Sequence, residues 1–210
     1  MKNFNDADTV RMAIYGLIGS FLAGPPREDL LEKAMLMADF ATGKSVLEKA
    51  WRRLGDACRK YTLKDIESEY HRLFVGLGKS KIMPYGSCYL SGNLMGQSLA
   101  DLRTDLIRIG IRRKEGVKES EDHASALCET MTLLCRKKDI SGVGIQQRFF
   151  SSHIDPWMHR FFKDLQDAPS AKFFRVLGQL GETFIDFEQK YFEWVDACLD
   201  SREEVFGTTV

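Results

Sequence analysis

Apolar residues spaced by three and four, repeated along almost the whole chain, limit the fold more than any other feature. Leu127, Cys128, Met131, Leu134 and Cys135 make one such stripe, and this spacing puts them on a single helical face. The spacing recurs from Val10 through Ile14, Leu17, Ile18, Phe21 and Leu22, then in Leu30, Leu31, Ala34, Met37 and Ala38. Further stripes are Val46, Leu47, Ala50, Leu54, Ala57 and Cys58, then Ile66, Tyr70, Leu73 and Phe74, then Leu99, Leu102, Leu106 and Ile109. The C-terminal part adds Trp157, Phe161, Phe162 and Leu165, and a long run from Phe173 to Cys198. No segment alternates apolar and polar residues at period two. The chain is therefore expected to be all α.

Breaks in the pattern divide the chain. Gly24-Pro25-Pro26 ends the first helix, because proline cannot continue the hydrogen-bond ladder. Thr62 offers a cap for the fourth, and Asp155-Pro156 supplies a cap residue and a proline for a later one. Ser141-Gly142-Val143-Gly144 reads as a break, with helix resuming from Gln146 to His153. Residues 75–87 gather glycine and proline and read as a loop, and residues 112–118 carry no apolar period at all. The expected organisation is an N-terminal helical subdomain at 1–112, a linker at 113–121 and a C-terminal helical subdomain at 122–210, packed closely together.

With 44% hydrophobic residues over 210 positions, the chain can bury a substantial core. Its 30 Lys+Arg balance its 30 Asp+Glu, so no overall field attracts nucleic acid. Five cysteines show no C-x-x-C pair, which argues against a zinc or dithiol site and for reduced thiols in the cytoplasm. No apolar run reaches the roughly 18 residues of a membrane helix, and no secretory leader is expected.

Asp122-His123 is the polar pair at the mouth of the central stripe. With Ser120 as N-cap, both would lie in the first helical turn, where the helix terminus favours a carboxylate. The pair can recognise a cation or an amide, and it can equally be an ordinary helix start. Gly76-Leu77-Gly78 with Lys79 and Lys81 lacks the G-x-x-x-x-G-K-[ST] pattern of a phosphate loop. His71, His123, His153 and His159 lack H-x-x-x-H spacing, and Ser87 has no nucleophile elbow around it. These features alone lead to a helical binding or scaffold protein with no catalytic residues, no metal site and no cofactor.

Three segments together resemble the TorD/DmsD family of cytoplasmic molybdoenzyme chaperones, related to the NarJ group. Tyr70-His71-Arg72-Leu73-Phe74-Val75-Gly76, running into Pro84-Tyr85-Gly86-Ser87-Cys88-Tyr89-Leu90, is similar to the family's Y-x-x-L-F-x-G … P-Y-x-S-x-Y-L signature. Glu121-Asp122-His123 is similar to its acidic-Asp-His motif, with Ser120 in a region where the family often has proline. His153-Ile154-Asp155-Pro156-Trp157 is similar to its H-x-x-P-W segment.

The resemblance implies a TorD-like helical bundle and a non-enzyme. Its partner would be the twin-arginine signal peptide of a molybdopterin oxidoreductase precursor, held back from export until cofactor insertion is complete. Tyr70, Leu73 and Phe74 would then form the apolar wall, Pro84, Tyr85 and Ser87 a shaped loop, and Asp122 and His123 the polar end, with Phe74 and Asp122 serving the peptide rather than the core. The family also implies weak guanine nucleotide binding and a domain-swapped dimer beside the monomer. The alternatives from other classes are a nucleotide-binding hydrolase and a structural assembly subunit.

Overall fold

The computed structural model describes residues 4–75, 82–137 and 140–206. Ten α-helices account for most of them, and no strand occurs among the described residues. The helices are α1 (Phe4–Ala23), α2 (Glu28–Phe40), α3 (Val46–Lys60), α4 (Leu63–Tyr70), α5 (Gly86–Ser91), α6 (Gln97–Arg108), α7 (Ala124–Leu134), α8 (Ile140–His153), α9 (Asp155–Asp167) and α10 (Phe173–Phe206). One π-helical turn, His71–Val75, follows α4. No helix among the described residues is long and apolar enough to cross a membrane.

Local chemistry explains several boundaries. Ser45 and Glu48 form a reciprocal capping box at the start of α3, and Thr62 and Asp65 do the same for α4. The break expected at residues 141–144 is absent, because α8 runs straight through it. Glycine in a helix interior costs only about 1 kcal/mol relative to alanine. Packing outweighs that here, since buried Gln146 donates to Leu134 O and accepts from Arg11, fixing α8 from both sides.

The main packing pairs are α1 on α7, α9 on α10, α2 on α3 and α3 on α10. Two of these join elements from opposite sides of residues 113–121, and the apolar core is continuous through all of them. Gly19 allows the closest approach of α1 to α7, where a Cβ would stand 3.0 Å from Cys128 Cβ and 3.3 Å from Ser125 O. The α9–α10 layer is aromatic, with Trp157, Phe161, Phe162, Phe173, Phe174 and Phe184 all buried.

A buried polar cluster fixes α1 against α8 and α10. The Arg11 guanidinium donates to both carboxylate oxygens of Glu188 at 2.6 and 2.9 Å, to Asp8 at 2.7 Å and to Gln146 at 2.6 Å. It also lies over the Tyr191 ring. Every donor of such a buried group needs a partner, so the cluster specifies one register of these three helices.

Candidate functional site

The site starts with Glu69 at the end of α4. Its buried carboxylate accepts the backbone N–H groups of Lys172, Phe173 and Phe174 at 2.7, 3.0 and 2.9 Å. These are free donors at the start of α10, where negative charge is favoured. The π-helical turn is thereby held against α10. Tyr70 is buried and donates to Leu22 O, and Leu73 is fully buried and reaches no surface. Phe74 is half-buried, with ring centroids 4.9 Å from Tyr70 and 5.4 Å from Phe174, and Val75 is exposed. Residues 76–81, which hold the glycine-lysine stretch weighed as a phosphate loop, lie outside the described residues.

The next segment joins backbone to backbone with the Asp-His segment. Ala124 N–H donates to Pro84 O at 2.8 Å and Gly86 N–H donates to Asp122 O at 2.9 Å, giving an isolated antiparallel bridge between Tyr85 and His123. Pro84 is buried in this joint. Asp122 Oδ2 accepts both the N–H of Ser87 at 2.9 Å and its Oγ–H at 2.6 Å.

Three expectations are corrected here. Ser120 does not cap α7, and Asp122 and His123 do not lie in its first turn. His123 is the N-cap, with Nδ1 accepting the Ser125 N–H at 3.1 Å. Asp122 instead caps the first turn of α5, whose own N-cap residue Tyr85 makes no side-chain cap bond. Ser87, expected in a loop, is therefore helical and buried. The chain bends at residues 120–123, where His123 N–H donates to Ser120 O, and that bend turns the Asp122 side chain away from its own helix.

Around the joint, Tyr85 stacks edge-on to His123 at 5.0 Å, and its phenol donates to Glu119 at 2.6 Å. Burial, followed by that hydrogen bond, pushes the Tyr85 phenol up. Burial holds the His123 imidazole below its ordinary range, against the opposing pull of Glu119 and Asp122. A neutral ring fits its capping role, which needs an unprotonated Nδ1. Glu119 also acts on Tyr70, so Tyr70, Tyr85, Glu119 and His123 form one neighbourhood.

All three motif segments meet at a cavity of about 270 Å³. Gly86 and Ser87, Asp122, and His153 with Trp157 line it, facing Ser98, Asp101 and Asp105 of α6. Trp157 Nε1–H donates to His153 O at 2.8 Å, and His153 Nε2 lies 2.9 Å from Asp105 Oδ2. The His153 hydrogen bond is the main reason the Asp105 carboxyl sits below its ordinary range. Leu90, which lines the cavity, is exposed, as are Leu94 and Met95 between α5 and α6, and Met95 holds a φ of 63° that residues other than glycine seldom adopt.

The geometry thus groups Pro84, Tyr85, Ser87, Asp122 and His123, with Tyr70 and Phe74 alongside, and leaves Leu73 in the core. The acidic face of α6 escaped the sequence reading. Its signal was present as Ser98, Asp101, Leu102 and Asp105 at helical spacing, two carboxylates bordering an apolar stripe.

Comparison with known proteins places this architecture. The nitrate reductase delta subunit family matches residues 43–163, which is more than half of the chain and includes every motif segment above. The chain belongs to the nitrate reductase delta subunit family. It is similar to the chaperone protein TorD of Shewanella loihica, 21% identical over 201 residues that cover 87% of this chain and 92% of the relative. It is also similar to a protein of Haemophilus influenzae assigned as the Tat proofreading chaperone DmsD, 24% identical over 134 residues, or 63% of this chain and 64% of the relative. In fold it is similar to an Archaeoglobus fulgidus protein assigned to redox enzyme maturation, with a TM-score of 0.62 at 16% identity over 89% of this chain and 96% of that one.

The resemblance read from the three segments is thereby borne out, as is the all-α fold. The curated relatives of this nitrate reductase delta subunit family member are chaperones and not catalysts, and its classification as a non-enzyme rests on that relationship. In this family member the matched segments, 30 or more residues apart in sequence, share one cavity wall.

Proposed function

We propose that this protein is a cytoplasmic maturation chaperone that binds the twin-arginine signal peptide of a molybdopterin oxidoreductase precursor and delays export until the cofactor is in place. The observation that carries the proposal is the convergence of the three matched segments on one acid-lined cavity whose lining includes the exposed Leu90. A twin-arginine peptide joins positive charge to an apolar run, so its receptor needs carboxylates at one end and apolar surface at the other. In this reading Phe74, Tyr85, Leu90, Leu94 and Met95 contact the peptide, and Asp122 faces its basic part. Pro84, Ser87 and His123 hold the shape of the joint, and Leu73 and Tyr70 support it from the core.

Isothermal titration of the full chain with a twin-arginine peptide and its Lys-Lys counterpart tests the proposal. The expected result is binding of the first, weakened for the second and for Phe74→Ala at any ionic strength. Absence of binding to any twin-arginine peptide, including that of a precursor captured from cells and identified by mass spectrometry, would overturn it.

A further inference from the structure

A second hollow lies between α1, α2 and α3, and no residue of the three matched motif segments lines it. Val10 and Ala13 of α1, Met37 and Phe40 of α2, and Leu47 and Trp51 of α3 wall a space of about 340 Å³. Phe40 is 76% exposed and Val10 is 46% exposed. Exposed apolar residues scattered singly are ordinary, but these two line a hollow whose other walls are largely apolar as well. Glu48 is the single charged residue among those lining it, and its carboxylate already accepts from the Gly43 N–H at 2.9 Å and the Ser45 hydroxyl at 2.7 Å. At Ala41 the hollow adjoins a cleft of about 620 Å³ with a different lining. Ala41 lines both, and the cleft carries Lys49, Arg52 and Arg53. Arg52 Nη1 donates to the carbonyls of Ala41 and Gly43, which holds the guanidinium at the end of α2 and leaves its Nε and Nη2 to donate elsewhere. The two carboxylates of the cleft, Asp39 and Asp56, lie 2.5 and 3.5 Å from Arg59. Lys49 and Arg53 are exposed and have no ion-pair partner among the described residues. The cleft therefore keeps positive charge that no neighbouring carboxylate offsets.

An apolar hollow that runs into an unneutralised basic cleft fits a ligand with the same two parts and the opposite charge. We infer that this surface docks a short linear segment of a partner protein, in which bulky apolar residues adjoin carboxylates. The apolar side chains fill the hollow over Leu47 and Trp51, as anchors do in other peptide-binding grooves. The carboxylates pass Ala41 and meet Arg52, whose two free nitrogens suit a charge-assisted contact, with Lys49 and Arg53 beside it. Three other occupants match less well. A twin-arginine peptide brings positive charge to a positive cleft, so this site is additional to the acid-lined cavity and draws on none of its residues. A second copy docked about a two-fold axis sets the same cations against one another. A bilayer is flat and leaves a hollow between three helices without contacts.

The test uses a set of synthetic peptides in which phenylalanine and leucine stand before or after a run of glutamates. Each has a counterpart with lysines for the glutamates and another with alanines for the apolar pair. All are titrated into the full chain while the Trp51 indole and Leu47 amide resonances are followed. A glutamate peptide should bind and shift both resonances, and its lysine counterpart should bind about tenfold more weakly at low salt. That difference should shrink to less than about threefold near 0.5 M salt. Phe40→Ser should weaken the glutamate peptide by about tenfold, and Arg53→Glu by about threefold with a smaller salt dependence. Both side chains are exposed, so both variants should fold, and both should bind a twin-arginine peptide as the wild type does. No glutamate peptide binding below about 1 mM, equal binding of the lysine counterpart, or displacement by a twin-arginine peptide would each overturn the inference. It would also fall if Phe40 mediated only adsorption to phosphatidylglycerol vesicles, or only a dimer seen by light scattering. Any of these results leaves the chaperone reading standing, since that reading uses the other cavity. Failure of twin-arginine binding alone removes the chaperone reading and leaves this site in place.

Discussion

Replacing Asp122 with alanine should weaken the whole fold, because this side chain joins two parts of the chain as well as facing the cavity. It is 4% exposed and accepts two hydrogen bonds from Ser87, at 2.9 and 2.6 Å. Hydrogen bonds to a charged partner contribute about 1.5–3 kcal/mol each, and a buried N–H left without an acceptor costs about 1–3 kcal/mol. Removing the buried carboxylate also relieves the desolvation of its unbonded Oδ1, which offsets part of the loss. The net expectation is a destabilisation of about 2–4 kcal/mol. In a domain of this size that lowers Tm by roughly 5–15 °C. Ser87→Ala keeps the backbone bond and should cost about 1–2 kcal/mol. Because the two residues share one interaction, the double variant should show a coupling of about 1 kcal/mol or more. Calorimetry and urea unfolding followed by near-UV circular dichroism measure all three. If Asp122→Ala stayed within about 1 kcal/mol of wild type, or if the two changes simply added, Asp122 would not be the cap of α5.

Other consequences follow from the same geometry. Because burial lowers the His123 pKa, its contribution to stability is complete above the ordinary value of 6.5 and is lost as pH falls from there through the folded value. Urea unfolding from about pH 8 to about pH 5 should show a steeper acid loss in wild type than in His123→Asn, which keeps a capping side chain without titrating, and equal slopes would refute this. Gly181→Ala should destabilise by about 1–3 kcal/mol despite alanine's better helix propensity, since the new Cβ would fall on the buried Phe162 ring; a thermal melt unchanged from wild type would show that the ring can move. If residues 113–121 act as a hinge, deleting residues 114–117 should prevent α7 from folding back on α1 of the same chain and favour an exchanged dimer. Light scattering after size exclusion that finds only monomer at every concentration would remove the hinge.

The fold class was legible in the sequence because each helix must bury a stripe, and a stripe at period 3.6 is a local property. Leu127, Met131 and Leu134 identify α7 without reference to any other element, and Thr62 with Asp65 identifies the start of α4. The three motif segments were legible too. What the sequence could not determine is which end of which helix a given side chain serves. Ser120 has the right chemistry to cap α7, yet the bend before that helix leaves its hydroxyl without a partner among the described residues and gives the cap to His123. Asp122 caps α5, 35 positions earlier in the chain, and Glu69 caps α10 from more than 100 positions away. Leu73 has the character of a binding-wall residue, but the Glu69 cap draws its turn into the core. The acidic face of α6 becomes a site only when the joint at Tyr85 and His123 sets Asp122 opposite Ser98. Periodicity is set by neighbours three or four residues apart and survives reading one segment at a time. The partners of a buried carboxylate or hydroxyl depend on how distant backbone donors are brought together, and that is settled only when the helices pack.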